Sequence, residues 1–228
     1  MAKYSRLNVL KTMVDTGLVP VFYHADVEVA SNIVQALVEA GVRCFEFTNR
    51  GDQAHLVFQE LIQRFGSNKR VILGAGTILD PATAALYIQL GANFIVGPVL
   101  NPEVAKICNR RKIAYSPGCG SLSEVSAAEE LGVEICKVFP GKEVGGPGFV
   151  EALRGPMPWT YIMPTGGVDP TEESINAWFK ARVACVGIGS KLVRKDLVDA
   201  GDYAEMTRVA GLTLGWIQAA RQQYPLFW

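Results

Sequence analysis

The chain has 228 residues and a formal net charge of zero, with 22 Lys and Arg against 22 Asp and Glu. Its 49% hydrophobic and 19% charged residues are a globular composition. They exclude a disordered polyelectrolyte and argue against nucleic acid or an anionic membrane as partner.

The length predicts a single domain over 1–228, near the usual size of one (βα)8 barrel. The N-terminal apolar residues are spaced like one face of a helix over 4–16 rather than as a signal peptide. Short apolar, β-rich runs then recur at 19–23, 43–47, 70–73, 93–96, 112–115, 134–139, 160–163 and 183–187. Their starts are roughly 19 to 27 residues apart, the spacing of strand–helix units with parallel pairing. Between them lie amphipathic helical patterns. Val29, Ile33, Val34, Leu37 and Val38 make one apolar face; Val57, Phe58, Leu61, Ile62 and Phe65 make another. Asp80-Pro81, Asn101-Pro102 and Asp169-Pro170 read as helix N-caps followed by Pro at the first helical position. Gly41, Gly66, Gly91 and Gly132 stand where helices should stop. A last helix is expected over 203–222. The even spacing favours a closed TIM barrel over an open doubly wound sheet, with an extra N-terminal helix and a C-terminal helical extension.

Cys44, Cys108, Cys119, Cys136 and Cys185 form no Cys-x-x-Cys pair. They read as reduced packing residues of a cytoplasmic protein. No run approaches the length of a membrane span. His24 and His55 form no metal-ligand cluster with acids or cysteines, so neither a catalytic metal nor a cofactor is expected. His24 could line a pocket at the end of the first strand, and His55 reads as solvated helix surface.

In such a barrel the chemistry lies at the C-terminal ends of the strands. Lys137 stands inside the apolar run Ile135-Cys136-Lys137-Val138-Phe139. Burying a lysine disfavours its ammonium form, and a neutral amine is what attack on a ketone requires. Taken alone, Lys137 is equally a strand-edge lysine whose ammonium reaches solvent. Glu46 moves the balance. It lies in Cys44-Phe45-Glu46-Phe47, where a period of two puts Cys44, Glu46 and Thr48 on one face. Counting strands puts Glu46 on the second and Lys137 on the sixth, across the barrel and able to share one layer. A buried structural ion pair is the competing reading, and such pairs contribute little to stability.

Arg50 follows four residues after Glu46, with a fork suited to a carboxylate. Thr77 offers a hydroxyl after Gly74-Ala75-Gly76. Arg50 alone is also an ordinary surface arginine. Gly166-Gly167 after the seventh strand and Gly189-Ser190 after the eighth match the common phosphate site of these barrels, unless they are ordinary turn residues.

Taken in order, Glu46-x-Thr48-x-Arg50, Gly74-Ala75-Gly76-Thr77, Lys137-x-Phe139-Pro140 and Pro164-Thr165-Gly166-Gly167-Val168 resemble the class I aldolases of 2-keto-3-deoxy-6-phosphogluconate (KDPG) and 4-hydroxy-2-oxoglutarate (KHG). The resemblance covers most of the chain. It implies that Lys137 forms a Schiff base and that Glu46 is general base and acid. It implies that Arg50 and Thr77, with Pro98 nearby, hold the carboxylate of a 2-keto acid. It puts a substrate phosphate, or the distal end, at Gly166, Gly167, Gly189 and Ser190. It implies a homotrimer. Many members read Gly-Gly-Ser after the last strand, whereas this chain reads Ile188-Gly189-Ser190-Lys191. The competing expectations are a phosphosugar isomerase or epimerase on the same barrel and a non-catalytic sugar-acid-binding barrel.

Overall fold

The computed structural model describes residues 2–226. Helix α1 (Arg6–Thr16) leads into an alternation of strands and helices: β1 (Leu18–Phe22), α2 (Val27–Glu39), β2 (Cys44–Thr48), α3 (Ala54–Phe65), β3 (Ile72–Gly76), α4 (Pro81–Leu90), β4 (Phe94–Val96) and α5 (Pro102–Arg111). Then come β5 (Ala114–Ser116), β6 (Gly118–Cys119), α6 (Leu122–Glu130), β7 (Ile135–Val138), α7 (Gly146–Arg154), β8 (Tyr161–Pro164), α8 (Glu172–Lys180), β9 (Val186–Ile188), α9 (Lys195–Ala200) and α10 (Tyr203–Gln223).

The strands are parallel and form two ladders, β5-β4-β3-β2-β1-β9 and β6-β7-β8. Pro117 separates β5 from β6. It has no N–H for the ladder, though its carbonyl accepts the Lys137 N–H at 3.0 Å. The fifth strand, expected over 112–115, starts later and continues past Pro117 as a second short piece. At the other side, a bridge pairs Thr165 with Gly187, and the Ala184 N–H donates to the Ile162 carbonyl at 2.8 Å. The result is a curled parallel sheet.

Alternation along the strands separates two cores. Val19, Cys44, Ile72, Phe94, Ala114, Ile135 and Met163 pack together inside the curl, where α1 adds Val9 and Met13. Their neighbours Phe45, Phe47, Leu73, Ala75, Cys136 and Val138 belong to the larger cluster shared with the helices. Cys44 and Ile135 thus report which face of β2 and β7 points inward, and Glu46 and Lys137 share that face.

Asp80 accepts from Thr83 N–H as the cap of α4, and Asn101 from Glu103 and Val104 N–H as the cap of α5. The Asp169-Pro170 expectation is corrected. Helix α8 starts later, with Thr171 as its cap accepting from Ser174 N–H. The Ser174 hydroxyl is in turn taken by the Asp169 N–H at 3.0 Å, so Asp169 is held in the preceding loop. The C-terminal helix α10 lies against α8 and α2. Thr207 donates to the Ala36 carbonyl at 3.0 Å. Arg221 donates to the Ala184 carbonyl at 2.7 Å and stands 4.8 Å above the Phe179 ring. No helix among the described residues is long and apolar enough to cross a membrane.

Candidate active site

β2 and β7 belong to different ladders, yet their inward side chains meet. Lys137 Nζ lies 3.5 Å from Glu46 Oε1, with side-chain exposures of 6% and 1%. The second carboxylate oxygen, Oε2, is buried without a hydrogen-bond partner among the described residues. A buried acceptor left in that state is costly in a purely structural pair. A carboxylate oxygen without a partner is chemically able to accept a proton. The Phe139 ring lies 5.1 Å from Lys137 Nζ. On the outer face, the thiol of Cys136 is held well above its ordinary range by a hydrogen bond with Cys119 and by burial. It stays neutral beside the lysine.

Glycines make room for this pair. A methyl at residue 76 would lie 2.1 Å from Glu46 Oε1, so Gly76 is the floor on which the carboxylate rests. Thr77 follows it, half-buried and in the left-handed region at φ 60. Gly118 pairs with Lys137 across the β6–β7 ladder. A methyl there would stand 2.0 Å from the Pro98 carbonyl oxygen. Pro98 is thereby drawn in beside the lysine strand. Arg50 lies on the turn beyond β2 and is exposed, with its N–H donating to the Thr48 carbonyl at 2.9 Å.

Gly166 and Gly167 both have positive φ, 84 and 77. The Gly166 carbonyl accepts from Lys142 N–H at 3.0 Å, and the Gly167 carbonyl from Trp178 Nε1 at 3.4 Å. Both carbonyls are thus turned away toward the scaffold. The Gly189 carbonyl accepts from Leu192 and Val193 N–H at 2.9 and 3.0 Å, which fixes the tight turn carrying the exposed Ser190. An exposed pair, Lys191 Nζ to Asp169 Oδ1 at 3.9 Å, links the two loops. Such a pair is worth little by itself. His24 turns back on its own loop, its Nδ1 accepting from Asp26 N–H at 3.1 Å. His55 is half-buried on α3. Among the described residues no group of three or more His, Cys, Asp or Glu could hold a metal ion.

Two residues were missed by the sequence reading. Thr165 is buried at the end of β8 with a hydroxyl that has no partner among the described residues. A methyl at Gly187 would stand 2.3 Å from that hydroxyl. Phe139 lines the lysine. The signal for both was the inward period of two from Met163 and Lys137, obscured by the adjoining glycines and proline.

An amine and a carboxyl 3.5 Å apart, buried at the C-terminal ends of parallel strands, can attack a carbonyl and move the proton that the attack displaces. A buried amine and carboxyl in contact on a parallel α/β fold are the groups that addition of a lysine to a carbonyl requires. A family model described as KDPG and KHG aldolase matches residues 9–209, and the chain belongs to that family. The KHG/KDPG aldolase of Escherichia coli (strain K12) is 32% identical over 201 residues, which is 88% of this chain and 92% of the relative. Among solved structures, the KDPG aldolase of Legionella pneumophila, with pyruvate captured at low pH as a covalent carbinolamine intermediate, superposes with a TM-score of 0.82 and 25% identity. That match covers 90% of this chain and 97% of the other. The Zymomonas mobilis ZM4 2-keto-3-deoxy-6-phosphogluconate aldolase with 3-phosphoglycerate gives 0.80 and 26%, covering 95% and 99%.

Proposed function

We propose that this chain is a class I aldolase. It cleaves KDPG to pyruvate and glyceraldehyde 3-phosphate, KHG to pyruvate and glyoxylate, or both. The observation that carries this reading is the buried contact between Lys137 Nζ and Glu46 Oε1.

The amine of Lys137 adds to the C2 ketone, giving a carbinolamine, and loss of water leaves an iminium. Glu46 takes the C4 hydroxyl proton. The C3–C4 bond breaks, its electron pair passes to the iminium, and an aldehyde leaves. The lysine-bound enamine is protonated at C3 and hydrolysed to pyruvate. Positioned proton transfer of this kind typically contributes about 10²–10⁴ in rate. Arg50 and Thr77, beside Pro98, hold the 2-keto carboxylate. Gly166, Gly167, Gly189 and Ser190 hold the distal end, with a phosphate where the substrate carries one. The carbinolamine reported for the Legionella enzyme supports the covalent route.

The two ladders are the halves of one closed eight-stranded barrel in a single domain over 1–228. This is supported by the Thr165–Gly187 bridge and by the single inner cluster drawn from both ladders. The enzyme is a cytoplasmic homotrimer. Five free, buried thiols support a reducing compartment. The exposed Leu79, Leu86 and Val99 offer apolar surface for subunit contact.

Borohydride reduction in the presence of pyruvate, followed by peptide mass spectrometry, tests the chemistry. A stable adduct on Lys137 is expected. An unmodified Lys137 in an active, pyruvate-treated sample sinks the covalent mechanism. Epimerisation of a phosphosugar without any adduct would move the site to the isomerase class.

A further inference from the structure

Arg50 is exposed and sits on the short turn between β2 and α3. A flexible arginine loses much of its binding energy to ordering unless the backbone beneath it is already fixed. The backbone here is held along its length. Asn49 N–H donates to the Gly76 carbonyl at 2.8 Å, Arg50 N–H to Thr48 at 2.9 Å, and Ala54 N–H to Gly51 at 3.1 Å. The Tyr23 ring covers Gly51 so closely that a methyl there would lie 2.0 Å from its hydroxyl.

One further tie runs from the turn to a neighbouring helix. Tyr87 on α4 is fully buried, edge-on to Phe58 at 5.0 Å between ring centroids. Its hydroxyl donates to Asn49 Oδ1 at 2.9 Å. A phenylalanine would fill the same apolar space without a polar group to satisfy. The hydroxyl therefore has a use, and its partner is the residue preceding Arg50. Burial, with Tyr23 nearby, pushes the Tyr87 phenol up to about 12. It remains a donor throughout the neutral range.

We propose that Asn49 and Tyr87 are positioning residues for Arg50: their hydrogen bond holds the turn outward on α4 while Tyr23 pins Gly51, so that the intervening arginine is presented ready to take a substrate carboxylate. This rests on the reading of Arg50 as the carboxylate residue.

The test measures the pyruvate concentration that half-saturates borohydride trapping on Lys137, together with kcat and KM for pyruvate release from KDPG. Tyr87→Phe removes one oxygen from a buried ring, and Asn49→Ala changes a half-buried turn residue. Each should raise the half-saturating pyruvate concentration and KM about threefold to tenfold, the range of one lost hydrogen bond, with kcat within about twofold. The double variant should be no worse than either single one, because both remove the same interaction. Asn49→Asp, which keeps an acceptor for the phenol, should recover much of the loss. Arg50→Ala, run in parallel, separates the possible failures. If it raises KM while Tyr87→Phe and Asn49→Ala leave KM unchanged and only lower Tm, the positioning role is overturned and Arg50 keeps its role. If Arg50→Ala itself leaves both quantities unchanged, the carboxylate reading falls and the positioning role falls with it.

Discussion

Replacing Gly76 by alanine should disable the proposed chemistry while leaving Lys137 and Glu46 themselves unsubstituted. The added methyl would stand 2.1 Å from Glu46 Oε1 and 2.6 Å from its Cδ, where ordinary contact begins at 3.4 Å. The carboxyl must therefore shift by about 1.3 Å, which disturbs its 3.5 Å contact with Lys137. A displacement of about 1 Å in a reacting group can cost about 10²-fold in rate, or about 2.7 kcal/mol of barrier. The overpacking should also cost about 1–3 kcal/mol of stability. Gly74→Ala is the matched control, two residues earlier on the same strand. Its methyl would strike the Phe94 ring at 2.3 Å, in the inner core, so stability should fall with much less effect on kcat. The assay is pyruvate release at saturating substrate, alongside borohydride trapping of pyruvate, which Gly76→Ala should retain. A folded Gly76→Ala protein with kcat within about threefold of the parent would refute the placement of Glu46 as the proton-transfer group.

Other consequences follow from burial. Arg221→Met keeps the side-chain stem but loses the hydrogen bond to Ala184 and the Phe179 ring contact. It should cost about 2 kcal/mol and lower Tm by about 4–8 °C, measured by scanning calorimetry. A Tm within 1 °C or so of the parent would mean that α10 is held by its apolar face alone. Burial pushes the Cys108 and Cys185 thiols up to about 12, whereas unfolded thiols titrate near 8.5. The native state therefore keeps protons that the unfolded chain releases. Stability is unaffected well below pH 8.5 and is lost as pH rises from there toward 12, by up to about 1.4 kcal/mol per pH unit for each thiol. Thermal unfolding in reductant between pH 7.5 and 10.5 reads this directly. A flat Tm over that range would contradict the burial of these thiols.

The strand–helix alternation and the inward faces of β2 and β7 were legible in the sequence because they are local. A period of two needs only a few neighbouring residues, and Cys44-Phe45-Glu46-Phe47 and Ile135-Cys136-Lys137-Val138 each contain one. Lys137 and Glu46 could be singled out for the same reason, as ionisable residues among apolar ones. The caps at Asp80 and Asn101 rest on contacts within one turn. Asp169 failed as a cap because Thr171, two residues on, competes for the same helix end. The pattern could not rank two polar residues that each suit the role.

What had to wait for the fold concerns pairs distant in sequence. Nothing near Gly76 in the chain distinguishes it from Gly74, yet one lies under a carboxylate and the other under a phenyl ring. The burial of the Thr165 hydroxyl is decided by the bridge to Gly187, 22 residues away in the chain. The use of the Tyr87 hydroxyl has no local signal, because its partner Asn49 belongs to another strand–helix unit. Alternation decides which way a side chain points, since it is set by the backbone of its own strand. What that side chain meets depends on the register between strands and the curl of the whole sheet, so Lys137 and Glu46 became neighbours only when the two ladders brought them within 3.5 Å.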